Sequence, residues 1–236
     1  MTETLGPPEA TLSIQIPLRL IHRPLPPGVP RLAPVVLGLH GYAMDADSLL
    51  PVLDRMVPEE FLLVAIQGPH STTVPGSEMA GAQPKLAFHW GVSPRPEDNR
   101  TAHRNAVTAA LAWIRENGGD PSRVSLVGFS QPCSFNYRLA LDPPGGVPFR
   151  ALVAICGGVP GKWTEEEPKA TEASRAAAVL HVSTKEDPYY PLEKVASFPP
   201  RLACRFGHVE HRIHEGPHRI PTAATPEIRE FLLERG

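Results

Sequence analysis

The sequence has few of the features that mark several specialised classes of protein. Its three cysteines lie far apart without CxxC spacing, which argues against a disulfide framework. No apolar run approaches the roughly 18 residues that a membrane-spanning helix requires. The net charge of −2 provides no basic field for nucleic acid. We therefore expect neither a membrane span nor a nucleic-acid partner.

The N-terminus and the length favour a single-domain protein of the cytoplasm. The first residues, MTETLGPPEA, lack a basic region followed by an apolar one, so we expect no signal peptide and a cytoplasmic location. The 236 residues suit one domain over residues 1–236, large enough for a core and a cleft. The only protein partner that we consider is a second copy of the chain, in a homodimer.

Apolar runs of strand length alternate with segments of helical periodicity. This alternation predicts an α/β fold, a three-layer α/β/α sandwich around a mostly parallel sheet. Asp47 is the expected N-cap of the first helix, further helices are expected over 101–117 and 131–141, and Thr225 is expected to cap the last one. The expected strands are 11–21 at an exposed edge, 33–40, 61–67, 123–129, 150–158, 177–184 and 204–216.

Residues 70–99 do not follow this alternation, because they contain several prolines and show no clear hydrophobic period. Long irregular segments within a compact domain are usually functional covers or disordered excursions. The aromatic residues Phe88 and Trp90 favour a loop that covers a cleft, with both side chains lining a substrate pocket. The alternative is a segment that only packs on the body of the domain.

The strongest functional signal is the stretch VSLVGFSQP, in which Ser130 follows an apolar, β-branched run. A serine at such a strand-to-helix break can sit on a strained turn that exposes its hydroxyl, and Gly128 avoids a side-chain clash there. Pro132 stands where the motif has a second glycine. Since the first helical turn needs no N–H at that position, we expect a shifted helix rather than a broken site. The alternative is an ordinary turn.

A serine nucleophile needs an imidazole base and a carboxylate that orients it. In this architecture the three follow in the order serine, acid, histidine, each after a strand. Asp187 follows the expected strand 177–184, and His218 follows the last strand. Glu186 is the rival acid, and a turn before Pro188 is the structural alternative for Asp187.

The histidines at 208, 211, 214 and 218 resemble a metal motif only at first sight. On a strand, His208 and His214 face opposite to His211, and no cysteine or carboxylate set lies near them in the sequence. We therefore expect a histidine-rich surface strand, no metal site and no cofactor.

The chain resembles the phospholipase/carboxylesterase branch of the α/β-hydrolase superfamily, which includes acyl-protein thioesterase-like enzymes. The matching stretches are LGLHGYAMDADSL, RVSLVGFSQ, STKEDPYYP and EGPHRI. The resemblance implies an α/β-hydrolase fold with Ser130 as nucleophile, Asp187 as acid and His218 as base. The chain departs from the family where Pro217, rather than glycine, precedes the histidine.

An oxyanion hole requires two backbone N–H groups aimed at the developing negative oxygen. One is expected from Gln131, the residue after the nucleophile. The resemblance implies that the other belongs to Tyr42, in the loop after His40 and Gly41. We expect His40 to hold that loop rather than to transfer protons.

The sequence thus predicts a serine hydrolase that cleaves a small-molecule carboxylic ester, with thioesters and lysophospholipids as further options, through an acyl-enzyme. We expect short to medium acyl groups. One alternative is a catalytically silent α/β-hydrolase that serves as a binding module, suggested by Pro132 and the irregular segment. Another is peptidase or dienelactone-hydrolase-like chemistry on the same fold, although the latter usually employs a cysteine nucleophile.

Overall fold

The computed structural model describes residues 16–28, 32–75, 84–92 and 95–236. Its strands are β1 (Leu20–Arg23), β2 (Ala33–Leu39), β3 (Leu62–Ile66), β4 (His70–Val74), β5 (Lys85–His89), β6 (Gly119–Phe129), β7 (Ala151–Ile155), β8 (Ala178–Thr184) and β9 (His208–His214). Its helices are α1 (Ala46–Asp54), α2 (Pro96–Glu116), α3 (Pro132–Leu141), α4 (Glu172–Ala176), α5 (Leu192–Val195), α6 (Phe198–Ala203) and α7 (Thr225–Arg235), with 3₁₀ turns at Pro144–Gly146 and Thr222–Ala224.

Seven of these strands form one sheet in the order β1-β3-β2-β6-β7-β8-β9. The edge strand β1 runs antiparallel to β3, and the other neighbouring pairs in this sheet are parallel. Strands β3, β7 and β8 are buried along their whole length, as expected of continuous apolar runs covered on both faces. The predicted α/β-hydrolase fold with a mostly parallel sheet is therefore confirmed.

Helices cover both faces of the sheet and build a separate apolar core on each. Apolar side chains of α2, α3 and α6 pack on one face, whereas those of α1 and α7 pack on the other. Among the described helices, none combines the length and the apolar character needed to cross a bilayer.

The direction in which successive strands are added to the sheet reverses between β2 and β6. From β2 the chain adds β3 on one side and then returns to place β6 on the other side of β2. In open α/β sheets, ligands bind outside the carboxyl ends of the strands at such a switch point. The loops that follow β2 and β6 are therefore the first place to look for a site.

The expectation of irregular structure across residues 70–99 is wrong for much of that segment. Strands β4 and β5 pair antiparallel as a hairpin, with His70 opposite His89, and α2 already begins at Pro96. The polar sequence of β4, HSTTV, alternates between partly buried and exposed residues, so it lacks the apolar run that identifies the other strands. Residues 76–83 and 93–94 lie outside the described residues.

Two helix starts also differ from the prediction. The N-cap of α1 is Asp45 rather than Asp47, because the Asp45 carboxylate accepts a hydrogen bond from the Ser48 N–H at 2.8 Å. Thr225 is the first residue of α7, and its N-cap is Ala224. Of the predicted strand 11–21, residues 11–15 lie outside the described residues, and the prediction is wrong for residues 16–19, because β1 begins only at Leu20 and ends at Arg23.

Candidate active site

Ser130 lies on a sharp turn between the carboxyl end of β6 and α3. Its backbone adopts a left-handed conformation with φ of +63°, which is strained for a residue with a side chain. Its N–H donates to the Ile155 carbonyl of the neighbouring β7 at 2.8 Å. A side chain at Gly128 would approach the Asn136 amide to 2.9 Å. The turn therefore needs glycine at that position and holds the serine hydroxyl above the sheet.

His218 and Asp187 complete a hydrogen-bonded chain with this serine. The Ser130 Oγ lies 2.8 Å from His218 Nε2, and His218 Nδ1 lies 2.6 Å from Asp187 Oδ2. When Nδ1 carries the imidazole proton, it donates to the carboxylate, and Nε2 is free to accept from the serine hydroxyl. The three sequence-predicted residues thus meet with the geometry of a nucleophile, a base and an orienting acid.

The Asp187 carboxylate is buried, and both of its oxygens have hydrogen-bond partners. While Oδ2 faces the imidazole, Oδ1 accepts hydrogen bonds from the backbone N–H groups of Tyr189 at 2.8 Å and Tyr190 at 3.1 Å. This local turn fixes the carboxylate orientation. The rival acid Glu186 is exposed at the same loop and does not contact the histidine.

The His218 imidazole is held by ring contacts and by the backbone on either side. The Tyr189 ring meets it edge-on at 4.8 Å, and the Phe129 ring lies 5.2 Å away. The carbonyl of Pro217, just before it, accepts from the Thr184 hydroxyl at 3.0 Å. These contacts orient the base without using either of its ring nitrogens.

Cys156 was not anticipated as a neighbour of this chain. Its Sγ lies within 4.8 Å of the polar atoms of Asp187 and His218, and it donates a hydrogen bond to the Arg219 carbonyl at 3.2 Å. Burial raises the pKa of the Cys156 thiol to about 11, so the thiol stays protonated at neutral pH. The sequence did contain a signal for this proximity, because Cys156 directly follows β7, the strand beside β6.

The described residues contain one group of three potential metal ligands, Cys156, Asp187 and His218. Its histidine and carboxylate are engaged with each other, and its thiol is protonated. The histidines of β9 do not form such a group within the described chain. Instead, His208 contacts Glu210, and His211 contacts Ser183.

The expected oxyanion residues follow β2 and β6 at the switch point. Within the described chain, neither the Tyr42 nor the Gln131 N–H donates to a backbone carbonyl. The Gln131 side chain is engaged: its Oε1 accepts from the Trp90 N–H at 2.9 Å, and its Nε2 donates to the Gly91 carbonyl at 2.6 Å. This side-chain clamp between the elbow and the end of the hairpin was missed by sequence reasoning.

His40 supports the loop that carries Tyr42. Its Nε2 accepts from the Gly68 N–H at 2.8 Å, so its Nδ1 carries the proton and donates to the Gly41 carbonyl at 2.7 Å. Burial lowers the His40 pKa, which favours this neutral form. The contacts match the structural role expected for His40.

The two aromatic residues expected to line a substrate pocket occupy different environments. Phe88 is partly buried on β5, and its N–H donates to the Met44 carbonyl. Trp90 has no exposed surface, so its expected place on a pocket wall is wrong. Its indole N–H instead donates to the His40 carbonyl at 2.8 Å, which makes Trp90 part of the support beneath the loop that carries Tyr42.

A protein-family profile matches most of the chain in sequence. Residues 33–228 match the profile of the serine hydrolase (FSH1) family. No curated protein matches the chain in sequence.

Solved structures share the fold over nearly the whole chain. Esterase PE8 is 23% identical with a TM-score of 0.67, covering 94% of this chain and 100% of its own. A phospholipase/carboxylesterase from Dyadobacter fermentans is 17% identical with a TM-score of 0.65, covering 94% and 99%. The acyl-protein thioesterase 2 of Zea mays is 17% identical with a TM-score of 0.65, covering 92% and 98%. At these identities the likeness concerns the fold.

Proposed function

Because the chain belongs to the serine hydrolase (FSH1) family, we propose that it hydrolyses carboxylic esters through an acyl-enzyme formed on Ser130. One observation carries the proposal: the Ser130 hydroxyl, on a strained elbow, lies 2.8 Å from a histidine that Asp187 orients. Thioesters are close relatives of this substrate class. The names of the similar structures, an esterase, a phospholipase/carboxylesterase and an acyl-protein thioesterase, support it.

The proposed reaction has two halves that use the same groups. His218 removes the hydroxyl proton as the Ser130 oxygen attacks the ester carbonyl, and Asp187 stabilises the resulting imidazolium. The Tyr42 and Gln131 N–H groups hold the oxyanion. The imidazolium returns its proton to the departing alkoxide, leaving the acyl-serine. Water, deprotonated by His218, then attacks the acyl carbon and releases the carboxylic acid and the free serine.

The alternative of a silent binding module rested on Pro132 and the irregular segment. Pro132 lies at the start of α3, where a backbone N–H has no intrahelical acceptor. Much of the irregular segment is the β4–β5 hairpin. Neither feature now argues against turnover, and the hydrogen-bonded chain through His218 supports it. A cytoplasmic location and a homodimer stay predictions from the sequence.

Steady-state hydrolysis of p-nitrophenyl esters from acetate to palmitate tests the proposal. We expect turnover that falls about 10,000-fold or more in Ser130→Ala. The matched control is Ser134→Ala on the same helix, which should stay within about twofold because its hydroxyl is not part of the proposed machinery. A folded wild type that cleaves none of these esters, or an active Ser130→Ala variant, would overturn the proposal. A preference for palmitate would contradict the expected short to medium acyl group.

A further inference from the structure

Exposed aromatic rings are rare in this molecule, and they occur beside the candidate active site. Among the described phenylalanines, tryptophans and tyrosines, only Tyr42 and Tyr189 are exposed, at 51% and 66%. Tyr42 lies on the loop after β2, where an oxyanion donor is expected, and Tyr189 lies on the loop after β8 that carries Asp187. A scattered exposed aromatic residue needs no explanation. The location of both rings at one site, however, favours a part in substrate binding.

Tyr189 and its neighbour Tyr190 have opposite environments. The Tyr190 ring packs against Phe198 at 6.5 Å, and a side chain at Gly158 would approach the Tyr190 ring to 2.8 Å. Burial raises the pKa of Tyr190 to about 12. Within the described chain, the Tyr189 ring contacts no other aromatic ring than that of His218, and its hydroxyl has no hydrogen-bond partner. Packing therefore explains Tyr190 but does not explain Tyr189.

The backbone holds Tyr189 firmly beside the base. Its N–H donates to Asp187 Oδ1 at 2.8 Å, and its carbonyl accepts from the Lys194 ammonium at 3.4 Å. Pro188 and Pro191 restrict the backbone on either side. A tyrosine on such a segment loses little conformational entropy when a ligand packs against it, because only two side-chain torsions have to be ordered.

The role of the base indicates which part of a substrate lies near Tyr189. In the proposed reaction, His218 returns its proton to the departing alkoxide, so the leaving oxygen must come within hydrogen-bond distance of the imidazole. The Tyr189 ring lies 4.8 Å from that imidazole. The other two aromatic rings near it, among the described residues, are the buried Phe129 and the partly buried Tyr190. Tyr189 is therefore the exposed ring beside a leaving group at His218.

An exposed tyrosine ring distinguishes an aromatic leaving group from an aliphatic one. Two aromatic rings attract each other through their quadrupoles when their centroids are about 4.5 to 7 Å apart, beyond what the burial of apolar surface contributes. Burial of apolar surface alone, by contrast, does not favour an aromatic ring over a saturated ring of similar size. A preference for the aromatic ring would therefore identify a ring-to-ring contact.

We propose that Tyr189 is a specificity-determining residue that contacts the leaving group, and that the substrate is an ester of an alcohol that carries an aromatic ring. The inference rests on the proposed ester hydrolysis at Ser130. It deepens that function, because it names the chemical class of the alcohol that is released.

Two esters of butyric acid test this inference, because they differ only in the ring of the leaving alcohol. Phenethyl butyrate carries the aromatic ring, and cyclohexylethyl butyrate carries its saturated counterpart at the same distance from the reacting carbonyl. We expect the wild type to favour the aromatic ester about fivefold in kcat/KM. Tyr189→Phe should keep this ratio, whereas Tyr189→Leu should reduce it to one or below.

The controls separate contact with the leaving group from an effect on the base. If Tyr189 only orients His218, its loss changes the rates of both butyrates equally, so the readout is their ratio. Tyr190→Leu removes the neighbouring, partly buried ring and should keep the ratio. Ethyl phenylacetate and ethyl cyclohexylacetate place the ring in the acyl group, and Tyr189→Leu should leave the ratio of these two esters unchanged.

The outcomes distinguish the role of Tyr189 from the reaction itself. A wild type that cleaves both butyrates without favouring the aromatic one would overturn the role of Tyr189 and leave ester hydrolysis standing. The same conclusion follows if Tyr189→Leu keeps the preference, or if it alters the ratio of the acyl pair as much as that of the butyrates. If the folded protein cleaves neither these esters nor the p-nitrophenyl esters, the proposed function fails, and the role of Tyr189 fails with it.

Discussion

The loops around Ser130 and the β4–β5 hairpin meet at Gln131, but they are held in different ways. The loops that carry the candidate triad are tied to the central sheet and to each other. The Ser130 N–H donates to β7, and the Lys185 and Glu186 N–H groups donate to the carbonyls of His214 and Gly216 at 2.9 and 3.0 Å. The acid loop and the base loop are thus joined by backbone hydrogen bonds.

The described part of the hairpin is linked to the rest of the molecule mainly by side chains. The Phe88 N–H donates to the Met44 carbonyl at 2.8 Å, and the Gln131 side chain holds the backbone at Trp90 and Gly91. We infer that backbone hydrogen bonds of the loops fix the nucleophile, acid and base relative to the sheet, whereas the hairpin depends largely on side-chain contacts. Variants in each region should therefore fail differently.

The largest expected effect tests the region that the sheet positions. His218→Ala removes the proposed base without disturbing the sheet, so kcat should fall about 10,000-fold while the thermal unfolding midpoint changes little. His208→Ala, at the partly buried start of β9, is the histidine control and should retain activity. A His218→Ala variant with more than a tenth of wild-type kcat would show that the hydrogen-bonded chain is not catalytic.

The second prediction tests the hairpin and its clamp. Gln131→Leu removes two side-chain hydrogen bonds, each contributing about 1 kcal/mol to stability, so we expect the end of the hairpin to open roughly 30-fold more often. Hydrogen–deuterium exchange of residues 85–91 should rise, while exchange in β6 and β7 stays slow. Gln67→Leu serves as the glutamine control. Unchanged exchange in residues 85–91 would mean that the hairpin does not depend on this clamp.

The third prediction concerns two buried histidines, one beneath each region. His103 lies below Trp90, and His181 lies in β8 below the acid loop; burial lowers their pKa values to about 4 and about 3. The unfolded chain binds protons at these histidines below about pH 6.5, whereas the folded chain does not. Their stabilising contribution is therefore complete above pH 6.5 and declines as the pH falls toward 4.

Urea unfolding between pH 7.5 and 5 measures this dependence. Below pH 6.5 the free energy of unfolding should fall by about 1 kcal/mol per pH unit for each of the two histidines. A stability that stays constant from pH 7 to pH 5 would contradict the neutral, buried state of both side chains.

The smallest expected effect tests whether Pro132 alters the elbow. Pro132→Gly restores the usual motif but increases the freedom of the unfolded chain, so we expect a loss of less than about 1 kcal/mol in stability. Ester turnover should stay within about threefold. A tenfold gain in kcat would show that the proline displaces α3 enough to impair the nucleophile.

The same contrast explains how much the sequence could predict. Ser130, Asp187 and His218 each follow a strand, and parallel strands end at one edge of a sheet, so their proximity was predictable. The apolar runs of those strands are long and unambiguous. The fold and the meeting of these three residues therefore required only local patterns and one topological rule.

The hairpin and its neighbours depend on contacts between distant residues. The polar strand β4 is recognisable only from its pairing with β5. The Trp90 indole is buried and donates to the carbonyl of His40, which lies 50 positions earlier in the sequence. Likewise, nothing local assigns the Gln131 side chain to Gly91 or the Cys156 thiol to the neighbourhood of His218. Asp45 and Asp47 are both suitable caps by composition, and only the backbone geometry selects Asp45.

Covalent labelling of the folded protein with a fluorophosphonate, followed by mass spectrometry of its peptides, tests most directly whether Ser130 is an activated nucleophile. We expect one adduct, on Ser130, at a rate that falls sharply in His218→Ala, and no adduct in Ser130→Ala. Absence of labelling in the folded wild type, or an adduct that persists in Ser130→Ala, would contradict the assignment of Ser130 as the activated nucleophile.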